Sequence, residues 1–499
     1  MSELLPFILL WPLICALGLI FFFPRRGALW NVVASLGLWV LSIWLWQQVW
    51  NQGTLLQEVG GWKAPFGILL VSDLFSASMV LITGFTGFCV ALYIYFEDRK
   101  RSPEETSGRY FAAYQTLLMG VCGSFLTGDL FNLYVWFEVM LLSSFVMVAF
   151  EGRKAQLEGG LKYTILNLVA SNIFLVAVGL LYAAVGTLNM AHLGQVVSQT
   201  GATPAVQASF VLLLIAFGMK AGVFPLFFWL PASYHTPRVA TSAILAGLLT
   251  KVGVYSLIRV CTLIFPTTLD FLQPLLVGVA CLTMLTGVLG AAFHYDIRRI
   301  LSFHIISQIG YMILGLAIWT PAALAAAIFY VLHHIVVKTN LFLIGGIIED
   351  RTGTADLKKI GGLVKVFPLL GFLFLIPALS LGGIPPLSGF FAKFALIRSG
   401  LIEEHFVAMG VALFVGLLTL FSMTKIWLEG FWKTKPHELS LDSSPGGWKL
   451  LMLPVALMAL VTVVLGLWPE VLLGPADRMA RELLDPQGYI RLVLGRMAP

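Results

Sequence analysis

Apolar stretches of about 20 residues, enough to carry a helix across roughly 30 Å of hydrocarbon, follow one another from near the first residue to about Trp468. Nothing between them is long enough for a separate soluble domain. Of the 499 residues, 59% are hydrophobic and only 11% charged, too few polar groups for a surface that faces water all round. The chain therefore reads as an all-α integral membrane protein, one polytopic domain over 1–499.

Candidate spans lie at 4–23, 28–47, 69–95, 108–127, 129–150, 161–187, 207–230, 238–262, 270–292, 299–318, 321–348, 366–400, 406–432 and 449–472, about fourteen in all. The first lacks a basic residue ahead of it, so it is expected to be a span and not a secretory signal. Cys15, Cys89, Cys122, Cys261 and Cys281 are scattered through apolar runs without CxxC spacing. They are expected to pack, with no disulfide, zinc or iron–sulfur role.

Charge orients the spans. With the N-terminus outside, the odd-numbered connections face the cytoplasm and should collect Lys and Arg. They hold nineteen, from Arg25, Arg26, Arg99, Lys100 and Arg101 to Lys433, Lys435 and Lys449. The opposite connections hold only Lys63, Arg259 and Arg398, although Arg478, Arg481, Arg491 and Arg496 in the tail run against the trend. The net charge of +6 thus reflects orientation in a cell membrane, with both termini outside, and not a nucleic-acid surface.

An internal repeat is visible. SNIFLV at 171–176 returns as TNLFLI at 339–344, and GLLT at 247–250 returns at 416–419, offsets of 168 and 169. These offsets carry spans 4–8 (108–262) onto spans 9–13 (270–432). Five spans are an odd number, so the two units must face opposite ways, as in transporters whose sites lie at the repeat interface. Spans 7 and 12 are expected to be discontinuous, broken at Pro225 and at Pro385 and Pro386 in GGIPPLSG. A break frees carbonyls that need water, an ion or a polar side chain, although a packing kink would look the same in sequence.

Five lysines lie within spans: Lys220, Lys251, Lys338, Lys393 and Lys425. Glu138 stands near the middle of span 5, with no acid nearer along the chain than Asp129. A lone carboxylate there must be protonated or close to a cation, and Lys220 is the expected partner. His334 precedes Lys338 by four residues and shares its helical face. Lys393 is expected at the place in the second repeat that Lys220 holds in the first. An amine held away from water gives up its proton more readily and a nearby carboxylate restores it, so a movable Glu–Lys contact can load and unload protons. Lys425 is expected to snorkel and pair with Glu429, while Asp73 and Asp296 are expected at the interface and His294 and His304 carry no assigned role. A structural salt bridge remains the bland alternative for Glu138 and Lys220, but ionisable groups inside a membrane mark function by default.

With these residues in view, the chain resembles, over nearly its whole length, the antiporter-like subunits shared by Mrp antiporters, respiratory complex I and membrane-bound hydrogenases. Glu138, Lys220, Lys251, His334, Lys338 and Lys393 match that family's central polar axis, and GDLFNLYVWFEVMLLSSFV (128–146) looks like its Mrp D-type members. The resemblance implies one chain in a hetero-oligomer of about six or seven membrane subunits that exchanges internal Na⁺ for external H⁺. It also implies little activity from the chain alone. No dinucleotide, iron–sulfur or flavin motif occurs, so no cofactor is expected. A redox-driven proton-pumping subunit is the first rival, a scaffold without an ion path the second, and a membrane enzyme the third.

Overall fold

The computed structural model describes residues 4–22, 27–98, 108–201, 203–266, 272–436 and 448–495. Arg25, Arg26, Arg99, Lys100, Arg101 and Arg496 lie outside the described residues. The chain opens with α1 (Leu4–Phe21) and α2 (Gly27–Gln52), then a two-stranded antiparallel hairpin, β1 (Leu55–Glu58) and β2 (Leu69–Ser72), in which Leu55 faces Ser72. There follow α3 (Leu74–Asp98), α4 (Gly108–Leu126), α5 (Leu130–Ala149), α6 (Lys154–Val185), α7 (Met190–Thr200), α8 (Pro204–Ala221), α9 (Trp229–Ser233) and α10 (Val239–Leu263). Next come α11 (Gln273–Phe293), α12 (Ile297–Ile318), α13 (Pro321–Thr352), α14 (Leu363–Val366), α15 (Pro368–Gly382), α16 (Ser388–Ile402) and α17 (Phe406–Ile426), which runs on as a π-helical turn to Trp432. The last three are α18 (Met452–Leu467), α19 (Glu470–Leu484) and α20 (Gln487–Leu494).

Among the described residues, eleven helices are long and apolar enough to cross a membrane. They are α2, α3, α5, α6, α8, α10, α11, α12, α13, α17 and α18. The other three expected spans fall on α1, on α4, and on α15 with α16. The third expected span starts five residues too early, because 69–72 is strand and α3 begins only after Asp73, whose carboxylate accepts from the Ser76 N–H. Besides the single turn of α14, three helices were not expected. In α7, α19 and α20 apolar residues recur on one face only, as at Ala476, Met479, Ala480 and Leu483, so no long apolar run announces them.

Burial sorts the helices into an interior and a rim. Every residue in the most apolar 18-residue window of α10 and of α13 is buried, and 94% in α12, against 33% in α2, α6 and α11. Outward faces stay apolar, as at Leu142, Leu161, Phe293, Val407 and Leu417, which suits a bilayer and not water. Gly253 lets α10 press on the end of α8, since a Cβ there would stand 2.6 Å from the Ala221 nitrogen. The five cysteines are free.

Local hydrogen bonding recurs along the chain. The left-handed Gly186 closes α6 on Tyr182 O, and Gly353 closes α13 on Glu349 O in the same way. The Leu130 N–H donates to Leu188 O and the Met190 N–H to Gly128 O; Ile297 donates to Ala355 O and Leu357 to Tyr295 O likewise. Each group lies 167 residues from its counterpart, one residue short of the SNIFLV offset. Both breaks share a form too. Left-handed Gly222 ends α8 and left-handed Gly383 ends α15, with the next N–H, of Val223 or Ile384, reaching back to Gly218 O or Leu379 O. A cis peptide follows each, Phe224–Pro225 and Pro385–Pro386.

Candidate proton-transfer site

Lys220 sits in the last turn of α8 and is buried, where the helix dipole favours a cation. Its Nζ donates to Asn167 O (3.2 Å) and Ser171 Oγ (3.0 Å), both on α6, and stands 5.4 Å from the Phe137 ring. The expected ion pair with Glu138 is not formed. Lys220 turns to α6, whereas Glu138 Oε1 is buried without a hydrogen bond among the described residues, though still within electrostatic reach of the lysine. A cavity of about 20 Å³ beside the lysine, lined by Lys220, Asn167, Tyr163 and Leu249, has room for one water.

Further in, Lys251 on α10 and His334 and Lys338 on α13 are all wholly buried. The two helices touch closely, for a Cβ on Gly247 would stand 2.2 Å from Thr339 Oγ1, and the three groups feel one another's charge. Lys251 Nζ donates to Ala246 O (2.6 Å). Lys338 Nζ and both ring nitrogens of His334 make no hydrogen bond among the described residues. At the 167-residue spacing of the caps, Asn167 and Ser171, which hold Lys220, correspond to His334 and Lys338.

Lys393 on α16 is buried and donates to Leu381 O (2.8 Å) and Gly382 O (3.2 Å), the last carbonyls of α15. Lys220 precedes its break and Lys393 follows its own, so the two are not equivalent by position. Yet Leu381 stands two residues before Gly383, as Lys220 stands two before Gly222, and the Lys393 ammonium comes to that place from across the break. The carbonyls freed at the first break are met differently: Met219 O accepts from the Trp229 indole (2.8 Å), while the Phe224 N–H donates to Thr283 Oγ1 (3.0 Å).

Residues 127–419 match the model of the family described as NADH:quinone oxidoreductase/Mrp antiporter, transmembrane. The D-type subunit of the Na(+)/H(+) antiporter of Alkalihalophilus pseudofirmus is 45% identical over 475 residues, 95% of each chain. This chain belongs to that family. A chain in the solved Mrp complex from Dietzia sp. DQ12-45-1b superposes with a TM-score of 0.91 at 34% identity, covering 99% of each. A chain of respiratory complex I from Thermus thermophilus, at TM-score 0.80 and 23% identity over 96% of this chain and 99% of that one, shares the fold.

In this antiporter-family chain, a search for charges missed several neutral or aromatic neighbours of the lysines. His304, left without a role, is buried two turns into α12 and bonds Ser422 Oγ through Nε2 (2.7 Å). His333 Nδ1 meets Ser388 Oγ (2.9 Å), which in turn meets Ser380 Oγ (3.1 Å). Tyr330 donates to Gln308 Oε1 and stacks on Tyr311 at 5.3 Å, whose ring lies 5.3 Å from Lys393 Nζ. The signal was there for Tyr330, which shares a helical face with His334 and Lys338 at intervals of four. Two further expectations, the pairing of Lys425 with Glu429 and the place of Arg259 in a connection, are not met. Lys425 caps α11 through Ala292 O (2.7 Å) and His294 O (2.6 Å), while Glu429 pairs with Lys433 instead. Arg259 belongs to no connection but is buried in α10 in a two-bond ion pair with Asp73, at 2.6 and 2.9 Å.

Proposed function

We propose that this chain is the D-type member of a multisubunit cell-membrane antiporter that exchanges cytoplasmic Na⁺ for external H⁺, and that it carries protons. The path runs Glu138, Lys220, Lys251, His334, Lys338, Lys393. The observation that carries this reading is the run of buried amines and imidazoles through the fully enclosed helices α10 and α13. Several have no protein partner among the described residues and so call for water, and water between titratable groups moves protons. The name of the Alkalihalophilus relative, at 45% identity, and the likeness to the Mrp complex, at 34%, support the choice of exchanger over a redox-driven pump.

The architecture assigned with it is fourteen spans containing two inverted five-helix units, 108–262 and 270–432. The caps and breaks that recur between those units support it. Partners are the other membrane subunits, about six or seven different chains on the resemblance. The decisive experiment measures Na⁺-triggered collapse of a pH gradient in everted vesicles of an antiporter-deficient host carrying the complete complex. Glu138→Gln keeps the shape but cannot hold a charge, and should cut exchange roughly a hundredfold with assembly intact. Normal exchange by an assembled Glu138→Gln complex would remove the path's first member and the reading with it.

A further inference from the structure

A second polar constellation lies away from this path. A cavity of about 550 Å³ opens between the end of α2, α10 and the C-terminal helices α19 and α20. Thr54, Thr262 and Tyr489 line it, and the Asp73–Arg259 ion pair closes its inner wall. Arg259 does more than neutralise Asp73. Its guanidinium also donates to Ser76 Oγ (3.2 Å) and to the Tyr255 hydroxyl (3.2 Å), and lies over the rings of Tyr255 (5.3 Å) and Tyr489 (5.6 Å). The Ser76 and Tyr255 hydroxyls are 2.8 Å apart, and Tyr255 donates to Phe125 O (2.9 Å).

Position along α10 gives this cluster its meaning. Arg259, Tyr255 and Lys251 follow one another at intervals of four, so they stack on one face of the helix. The first belongs to the cavity wall and the last is the enclosed lysine of the path. Lys251 now donates to Ala246 O, one turn towards the other end of α10. Side chains four apart on a helix are neighbours, within reach of a swinging four-carbon stem.

We propose that this vestibule is the water port through which external protons reach the path, and that Ser76 and Tyr255 hand them to Lys251. The proposal rests on the function given above. The handover balances simply. A proton from vestibule water enters the hydroxyl pair at one oxygen as another leaves at the other, so both hydroxyls end neutral. The Tyr255 hydroxyl, turned away from Phe125 O, gives its proton to the Lys251 amine swung from Ala246 O, takes up the Ser76 proton in its place, and the lysine carries the charge inward on its return. Arg259 and Asp73 keep their charges throughout and hold the two hydroxyls in line.

The experiment uses the complete complex in vesicles of both orientations. Thr54→Cys places a thiol on the cavity wall, and Ser198→Cys places one on exposed α7 nearby but outside the vestibule. A charged, membrane-impermeant methanethiosulfonate added on the vestibule side should cut exchange roughly tenfold in Thr54→Cys, and leave Ser198→Cys and the parent complex unchanged. Added on the opposite side, it should do nothing. Tyr255→Phe, which keeps the ring against Phe75 and Phe125 but removes the hydroxyl, should lower exchange by a similar factor. If that variant fails to assemble, the thiol result decides alone. The port is overturned if Thr54→Cys, shown by mass to be fully modified, exchanges normally, if its thiol cannot be modified in the complex, or if assembled Tyr255→Phe is fully active. Should any of these occur while Glu138→Gln remains dead, the port falls and the proposed function stands.

Discussion

Lys393 holds two backbone carbonyls at the end of a broken helix, an arrangement open to two readings. As a fixed cation it would merely offset the negative end of α15; as a member of the path it must alternate between charged and neutral forms. Arginine separates them, because a guanidinium stays protonated at any physiological pH yet can still donate to both carbonyls. Lys393→Arg should therefore fail as completely as Lys393→Ala in everted vesicles, with both complexes intact on a native gel. Recovery of most of the exchange by arginine would make Lys393 an electrostatic fixture and end the titrating path at Lys338. At this scale the charges were legible because each interrupts an apolar run. Their partners were not: Ser171, Ser388 and Gln308 are ordinary residues in the sequence and gain a role only when another helix brings a lysine, histidine or tyrosine to them. Glu138 and Lys220 show the converse, since opposite charges on neighbouring helices suggested a contact that the α6 carbonyl and hydroxyl take instead.

The break between α15 and α16 is the element on which Lys393 depends. Gly383 has φ +87°, a conformation that costs a residue bearing a Cβ about 1–2 kcal/mol, and its Cβ would stand 2.9 Å from Lys393 Cδ. Gly383→Ala should therefore lower the thermal midpoint of the purified complex and weaken exchange, because the lysine loses its seat. Gly410→Ala, with nothing within 4 Å of the new methyl and an ordinary helical backbone, is the control and should be neutral or slightly stabilising. Equal stability and activity in the two variants would show that the break does not constrain Lys393. Sequence located the breaks well because proline pairs and glycines punctuate long apolar runs. It was blind to β1, β2, α7, α19 and α20, since a search for about 20 continuous apolar residues cannot register a four-residue strand or a helix with one polar face.

Across the whole molecule, the structure separates the charged groups into two ends. One end gathers the hairpin with Lys63, the start of α3, α7, α19 and α20, tied together by β2 to Gly128 and by Arg259 to Asp73. The other carries Lys154, Arg299, Lys358 and Lys433, with Arg238 holding Glu97 and Asp98 at the foot of α3. Among the described tail arginines, Arg478, Arg481 and Arg491 sit at the first end, and two of them are offset: Arg478 pairs with Glu482 and Arg481 with Asp477, each one helical turn away. Their contribution to the asymmetry is thus smaller than a count of basic residues suggests, and the lysine-rich end should face the cytoplasm. Lys63 and Lys154 are both exposed and give the measurement. In intact cells an impermeant thiol reagent should modify Lys63→Cys and spare Lys154→Cys, and in everted vesicles the pattern should reverse. The opposite labelling would turn the molecule over. The vestibule would then open to the cytoplasm, protons could not arrive through it from outside, and the direction of exchange proposed here would have to be served by another route.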